Sequence, residues 1–172
     1  MNVKDKAAKI KMLILDCDGV LTDGGLYYDH EGPVVKRFNA KDGLGIKLAQ
    51  RAGLKLAVVS GLQHKAVETR MDELGIDDYY AGFFRKVPVL EEICGKHNLQ
   101  LDEIAFLGDD WVDAGAMLRV GLPMAVLDAV PEILNIALWT STLKGGHGAV
   151  REAIHFILQS QGLIEELFDE WK

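Results

Sequence analysis

Short apolar runs alternate with amphipathic stretches along the chain, and this alternation predicts the fold. Stretches with one apolar face at helical spacing separate the apolar runs. We therefore expect an α/β fold, a doubly wound and mostly parallel Rossmann-like sheet between helices, with residues 1–172 as one domain and no cap domain. Predicted strands lie at residues 11–15, 54–60, 103–107 and 124–127, with shorter ones at 76–81 and 138–142, and predicted helices at 43–52, 63–74, from 88, 113–120, from 131 and 149–161.

One segment interrupts the alternation of predicted strands and helices, and a second segment follows it. At about residues 25–38, two β-prone runs flank a turn of sequence Asp-His-Glu-Gly-Pro, which predicts a protruding β-hairpin. Its aromatic and aliphatic residues need cover, which a neighbouring subunit could supply. Residues 162–172 form an acidic amphipathic tail, and either docking on the protein surface or reaching a neighbour's site fits its pattern.

Asp42 is placed to cap the helix predicted at 43–52.

Charge and cysteine content narrow the function classes. The net charge of -7 argues against a protein that coats nucleic acid or anionic membrane, since both need an excess of Lys and Arg on one face. Cys17 and Cys94 lack metal-ligand spacing, and the apolar run after the polar start is too short for a signal peptide or a membrane span. We expect reduced thiols and a cytoplasmic protein.

Carboxylates cluster after two of the predicted strands. Asp16 and Asp18 follow the first strand, and Asp109, Asp110 and Asp113 follow the strand at 103–107. The carboxyl ends of parallel strands lie along one edge of a sheet, so these five side chains should converge. Such a cluster requires a cation, and oxygen ligands favour Mg²⁺. A solvated Asp-rich turn is the alternative for the first pair alone, and the second cluster weakens it.

This set of residues suits phosphoryl transfer from a phosphate ester. Asp16, immediately after a rigid strand, is the candidate nucleophile, and Asp18 is the candidate general acid and base. Ser60 and Gly61 follow another strand and can hold the phosphoryl oxygens. Lys86 can offset the negative charge that gathers during transfer, although a surface lysine would fit its position as well.

These residues resemble the four ordered motifs of the haloacid dehalogenase superfamily. The motifs are Asp16-Cys17-Asp18-Gly19-Val20, Ser60-Gly61, Lys86, and Gly108-Asp109-Asp110-Trp111-Val112-Asp113. Within that superfamily the chain is similar, over nearly its whole length, to the capless 3-deoxy-D-manno-octulosonate 8-phosphate phosphatases. The further matching segments are the hairpin with Tyr27 and Tyr28, residues 38–46, and residues 145–152, which we interpret as a tight turn before the last helix.

The resemblance implies specific roles and partners. It implies an Mg²⁺-dependent phosphomonoesterase that acts on a phosphorylated sugar acid of lipopolysaccharide biosynthesis, assembled as a homotetramer. Asp16, Asp18 through its backbone carbonyl, and Asp109 would bind the metal, with Asp110 and Asp113 supporting them. Ser60 and Lys86 would bind the transferring phosphate. The implied substrate-site residues are Asp18, Asn39, Ala40, Lys41, Asp42, Gly43, Lys47, Gly61, Arg70 and Lys86.

Some positions depart from the family pattern and keep alternatives open. Leu62 stands where an arginine is usual and cannot hydrogen-bond a carboxylate, which favours a nine-carbon sialic-type sugar phosphate or another small ester. Val130 replaces a usual histidine and Gly115 a common proline. Lys47 and Arg70 also fit a solvated helix face, and Trp111 fits either a substrate mouth or simple packing. A non-catalytic module paired with a nucleotidyltransferase is the second alternative.

Overall fold

The computed structural model describes residues 2–172, except for the side chains of residues 33 and 34, and its centre is a parallel β-sheet. Six strands lie in the order β5-β4-β1-β6-β7-β8, and every adjacent pair is parallel. A separate antiparallel hairpin joins β2 to β3. The strands are β1 Met12–Leu15, β2 Tyr27–Asp29, β3 Gly32–Val35, β4 Lys55–Ser60, β5 Asp78–Ala81, β6 Ile104–Gly108, β7 Leu122–Ala125 and β8 Trp139–Thr140.

Helices connect the strands and cover the sheet. A helical turn at Cys17–Leu21 follows β1, and a 3₁₀ turn at Leu101–Glu103 precedes β6. The expected doubly wound parallel architecture is confirmed. The helices are α1 Val3–Ala7, α2 Ala40–Arg51, α3 Lys65–Leu74, α4 Val87–His97, α5 Trp111–Met117, α6 Pro131–Ile136, α7 Ala149–Ser160 and α8 Ile164–Asp169.

The central strand β1 lies entirely in the core. All of its residues are fully buried, because β4 and β6 pair with it on either side and its two faces lie in the core. Asp16 continues this strand, and its backbone N–H donates to Leu107 O at 3.0 Å. The first candidate side chain therefore stands on the most firmly held part of the sheet.

The start of α2 corrects one expectation. Asp42 does not cap this helix; Asn39 does, with extended backbone and with its Oδ1 accepting from Lys41 N at 2.8 Å. The helix begins at Ala40, which puts Asp42 inside the first turn. There it is buried, and its Oδ1 accepts from Arg151 N at 2.7 Å. Asp42 thus joins α2 to the first turn of α7.

The hairpin and the tail occupy different surfaces. The expected hairpin is present, with Tyr27 opposite Val35, and an isolated bridge pairs Thr22 with Phe38 at its base. The tail forms α8, whose Leu167 is buried, and Glu170 forms an ion pair with Arg51 of α2. Within residues 2–172, no helix combines the length and apolar character needed to cross a bilayer.

Candidate active site

The loop after β1 brings Asp16 and Asp18 to the carboxyl edge of the sheet. Asp16 is almost completely buried, whereas Asp18 is partly exposed. Gly19 has φ +96°, and a Cβ built there would lie 2.1 Å from Asp109 Oδ2. A side chain at position 19 would therefore force the two carboxylate loops apart, which explains a glycine in this close approach.

Asp113 fixes the second carboxylate loop, which carries Asp109 and Asp110, by accepting hydrogen bonds from its backbone. It lies in the first turn of α5, and its Oδ2 accepts from the backbone nitrogens of Asp109 at 2.9 Å and Asp110 at 3.3 Å. Asp110 caps the same helix and accepts from Trp111 N at 2.7 Å. Because Asp110 and Asp113 are used in this way, the side chain of Asp109 is left facing Gly19 and the loop after β1.

Lys86 connects the two loops. It precedes α4, its side chain is completely buried, and its ammonium forms an ion pair with Asp16 and lies 2.6 Å from Asp113 Oδ1. Burial lowers the pKa of Lys86, but Asp16 and Asp113 outweigh this effect, and the pKa is raised overall. Lys86 is therefore a buried cation between two buried carboxylates and not a surface lysine.

The carboxylates are crowded enough to need a further positive charge. Side-chain oxygens of Asp16, Asp109 and Asp113 lie within 4.8 Å of one another. Burial raises the pKa of Asp16 to about 7, against the attraction of Lys86 and with a further contribution from repulsion by Asp113. Burial, and then repulsion from Asp16 and Asp113, raise the pKa of Asp109 to about 8. A set of oxygen ligands that repel one another in this way fits a hard divalent cation such as Mg²⁺.

Asp18 has a different partner. Its Oδ1 forms an ion pair with Lys36, the residue that follows β3, and Thr22 Oγ1 donates to the same oxygen at 3.4 Å. The clustered side-chain oxygens are thus those of Asp16, Asp109 and Asp113. The resemblance implies that Asp18 binds the metal through its backbone carbonyl, and this role stays a prediction.

Ser60 and Gly61 form the turn after β4. The Ser60 hydroxyl donates to Leu62 O at 2.8 Å and accepts from Leu62 N at 3.3 Å, so it orders this turn. A Cβ at Gly61 would lie 3.2 Å from the ring of Phe84. The turn therefore follows β4 on one side of Asp16, with the Ser60 hydroxyl bonded within the turn.

The predicted substrate segment at Asn39–Gly43 is divided between exposed and buried positions. Ala40 and Lys41 are exposed, whereas Asp42 is buried, and burial raises its pKa. Lys47, one turn further on, donates from Nζ to Leu74 O at 2.6 Å, the last carbonyl of α3. The structure thus gives Asp42 and Lys47 partners within the fold and does not bring their side chains to the carboxylate cluster.

Arg70 instead lines a cavity of about 650 Å³ beside the catalytic edge. Its Nη1 lies 3.1 Å from Glu73 Oε2, its guanidinium stacks 6.0 Å from the centre of the Phe38 ring, and Gly43 leaves room for it. The same cavity reaches Lys36 and hence Asp18. Its lining residues are Lys36, Phe38, Gln63, His64, Lys65, Ala66, Thr69, Arg70 and Glu73.

Lys36 is the site residue that sequence reasoning missed. Its side chain is only 4% exposed and joins the end of the hairpin to Asp18, while it also lines the cavity. Its place in the sequence offered little signal, because the predicted hairpin stood out for its apolar residues and Lys36 lies at its end. The adjacent cations Lys36 and Arg37, directly before the expected substrate segment in an acidic chain, were the available clue.

Comparison with known proteins gives the same assignment of family and fold. No family model matches the chain. Among curated proteins, the 3-deoxy-D-manno-octulosonate 8-phosphate phosphatase KdsC of Escherichia coli (strain B / BL21-DE3) is 38% identical over 165 residues, which cover 96% of this chain and 88% of the relative.

Solved structures extend this likeness to the backbone. The 3-deoxy-D-manno-octulosonate 8-phosphate phosphatase from Yersinia pestis has a TM-score of 0.92 and 38% identity, covering 95% of this chain and 88% of that one. The enzyme from Moraxella catarrhalis, solved with magnesium, phosphate and KDO, has a TM-score of 0.96 and 31% identity, covering 99% and 98%.

Proposed function

Since the chain belongs to the 3-deoxy-D-manno-octulosonate 8-phosphate phosphatase family of the haloacid dehalogenase superfamily, we propose that it hydrolyses the phosphate ester of a phosphorylated sugar acid. The substrate that the relatives favour is 3-deoxy-D-manno-octulosonate 8-phosphate. The observation that carries the proposal is the meeting of Asp16, Asp109 and Asp113 with the buried Lys86 at one edge of the sheet.

The cofactor of the reaction is Mg²⁺. The relative from Moraxella catarrhalis contains it, and the crowded oxygen ligands here fit it. Asp16, Asp109 and the backbone carbonyl of Asp18 would hold the ion, with Asp110 and Asp113 fixing the loop of Asp109. When bound, Mg²⁺ neutralises the carboxylates and polarises the phosphoryl oxygens.

The residues of the chain divide the chemistry into two displacements. An Asp16 carboxylate oxygen attacks phosphorus as the bond to the ester oxygen breaks, and Asp18, as the general acid, gives a proton to that leaving oxygen. Asp18, now ionised, takes a proton from water, whose oxygen attacks the aspartyl-phosphate, releases phosphate and restores Asp16. Lys86 and the turn at Ser60 and Gly61 hold the phosphoryl oxygens.

The cavity beside Asp18 suits the anionic sugar. Lys36, Lys65 and Arg70 line it with a single carboxylate, Glu73, which is already paired with Arg70. Lys36 and Lys65 also have carboxylate partners, Asp18 and Glu68, so a substrate carboxylate would share these cations in a protein whose net charge is -7. We place Arg70, on its Phe38 support, as the substrate anchor in preference to Lys47.

Assembly would complete the site. The hairpin exposes Leu26, Tyr28 and Val35. We propose that these residues pack between subunits of a homotetramer and that the packing closes the uncapped active site. The free thiols of Cys17 and Cys94 fit a cytoplasmic enzyme, and the substrate class fits lipopolysaccharide biosynthesis.

A substrate panel tests the function. The protein is assayed with Mg²⁺ against 3-deoxy-D-manno-octulosonate 8-phosphate, a nine-carbon sialic-type 9-phosphate and small phosphate esters, ranked by kcat/KM. We expect the octulosonate to rank first. A higher rank for the nine-carbon acid would favour the alternative that Leu62 suggests, and no Mg²⁺-stimulated hydrolysis of any ester would favour a non-catalytic assembly module.

A further inference from the structure

Large apolar side chains are exposed around the mouth of the active site. Leu62 is 49% exposed, Phe84 is 60% exposed and Trp111 is 66% exposed. Apolar residues of this size are seldom left exposed in a group unless they contact something. We call Leu62, Phe84 and Trp111 the apolar collar.

The collar surrounds Asp16 because of the strand order. Leu62 follows β4, Phe84 follows β5 and Trp111 follows β6, while β1, which carries Asp16, lies between β4 and β6. Adjacent strands are about 4.8 Å apart, so the chain positions after β4 and β6 are separated by roughly 10 Å. Leu62 and Trp111 therefore follow the two strands that flank the strand carrying Asp16.

Local contacts hold Leu62 and Phe84 of the collar in place. The ring of Phe84 lies against Gly61, where a Cβ would be 3.2 Å from its Cε1, and the preceding Phe83 N donates to Ser60 O at 3.0 Å. Both backbone groups of Leu62 bond to the Ser60 hydroxyl. These side chains therefore belong to the same ordered turns as the phosphate-binding groups.

We propose that the apolar collar binds the carbon skeleton of the leaving group and thereby determines which phosphate esters are hydrolysed. Aromatic faces carry partial negative charge and attract the C–H groups of a sugar, and Leu62 adds apolar contact but no hydrogen bond. The occupant is the sugar of the substrate itself, because the collar is continuous with the phosphoryl site. The inference rests on the proposed phosphatase function and adds how its substrate is selected.

Single substitutions with two substrates test the collar. Phe84→Ala and Trp111→Ala are compared with Phe168→Ala, an equally exposed phenylalanine on α8. The esters are 3-deoxy-D-manno-octulosonate 8-phosphate and 3-phosphoglycerate, which keeps a carboxylate and a phosphate on a much shorter carbon chain. We expect each collar variant to lose roughly three- to tenfold in kcat/KM for the octulosonate and less than about twofold for 3-phosphoglycerate. Phe168→Ala should change neither.

Product binding and subunit assembly complete the test. Calorimetry with the dephosphorylated sugar acid should show weaker binding to the collar variants, independently of turnover. Equal losses for both esters, unchanged variants, or a changed oligomeric state in light scattering would overturn the collar, the last by making it a subunit interface. If the wild-type protein hydrolyses no ester, the proposed function fails and the collar fails with it; wild-type hydrolysis with unchanged variants overturns the collar alone.

Discussion

Lys86 Nζ lies 2.6 Å from Asp113 Oδ1, and both side chains are completely buried. The contact joins the start of α4 to the first turn of α5, so two helices meet where Asp16 and Asp109 need their positions fixed. An ion pair removed from water contributes little net stability when intact, but the loss of one partner leaves an uncompensated buried charge. The pair therefore couples the stability of the fold to the geometry of the site.

Lys86→Met tests this coupling. We expect the substitution to lower the free energy of unfolding by about 3 to 5 kcal/mol and to remove measurable phosphatase activity, since Asp16 and Asp113 both lose their cation. Denaturant unfolding and a phosphate-release assay measure the two effects. Lys11→Met is the matched control, because the Lys11 side chain is 63% exposed and it precedes β1, at the opposite end of that strand from Asp16. Similar unfolding of both variants would contradict the buried-pair account.

Asp16→Asn tests the nucleophile. The amide cannot form the aspartyl-phosphate, so we expect phosphate release to fall by at least about 10³-fold and no phosphorylated protein to be trapped by acid quench. Asp77→Asn, at an exposed position before β5, should retain both signals. A phosphorylated Asp16→Asn protein would assign the nucleophile to another residue.

The raised pKa values of Asp16 and Asp109 predict a pH-dependent response to Mg²⁺. Their ordinary value is 3.8, and in the folded protein they are about 7 and about 8. A raised pKa contributes stability that is fully present below 3.8 and is lost as the pH rises through the folded values. Without metal, the protein should therefore become less stable between about pH 4 and pH 8, and Mg²⁺ should relieve this loss where both groups are ionised.

Thermal unfolding at pH 6 and pH 8, with and without Mg²⁺, measures this effect. The gain in Tm should be larger at pH 8, because at pH 6 the ion must displace protons from the carboxylates. Asp109→Asn should unfold at a higher temperature than wild type at pH 8 without metal and should gain less on adding Mg²⁺. A gain in Tm that is equal at both pH values would refute the assignment.

The backbone of the site was largely predictable from sequence. The fully apolar β1, which is followed by Asp16, predicts a buried strand and then a polar loop. The glycines and acids at the end of β6 predict a second loop of the same kind. These are local signals, and the parallel sheet then places the strand ends on one edge. The convergence of Asp16 and Asp109 therefore followed from topology, without any knowledge of side-chain contacts.

The sequence does not predict which of several residues of similar type takes a given role or partner. Asn39 and Asp42 are both good helix caps, and only the packing of α2 on α7 decides that Asp42 is buried against Arg151 N. Lys47 has the charge expected of a substrate anchor, but the end of α3 supplies a carbonyl for it. The partner of Lys36 depends on the path of the hairpin, which the pattern of the strands does not specify.

Gly145→Ala tests the turn behind the catalytic loop. A Cβ at Gly145 would lie 1.6 Å from Gly19 O, and the next residue, Gly146, donates from N to Val20 O at 2.9 Å. We expect the substitution to lower both Tm and kcat, because the loop that carries Asp18 must move. Gly95→Ala, in α4 with no atom within 4 Å of its Cβ, should instead raise the free energy of unfolding by up to about 1 kcal/mol. Unchanged kcat in Gly145→Ala would show that the loop tolerates the shift.

We expect the hairpin to link assembly to catalysis through Lys36. Tyr28 and Val35 are 66% and 52% exposed, and the residue after Val35 reaches Asp18. Charged side chains at both positions should prevent the hairpins from packing between subunits, since each carboxylate would have to be desolvated in an apolar contact. We expect Tyr28→Glu with Val35→Glu to be monomeric in light scattering and to lose activity as Lys36 loses its fixed position. The control is Leu118→Glu with Leu138→Glu, at exposed positions outside the hairpin, which should remain assembled and active. A fully active monomer would separate the hairpin from the function of the site.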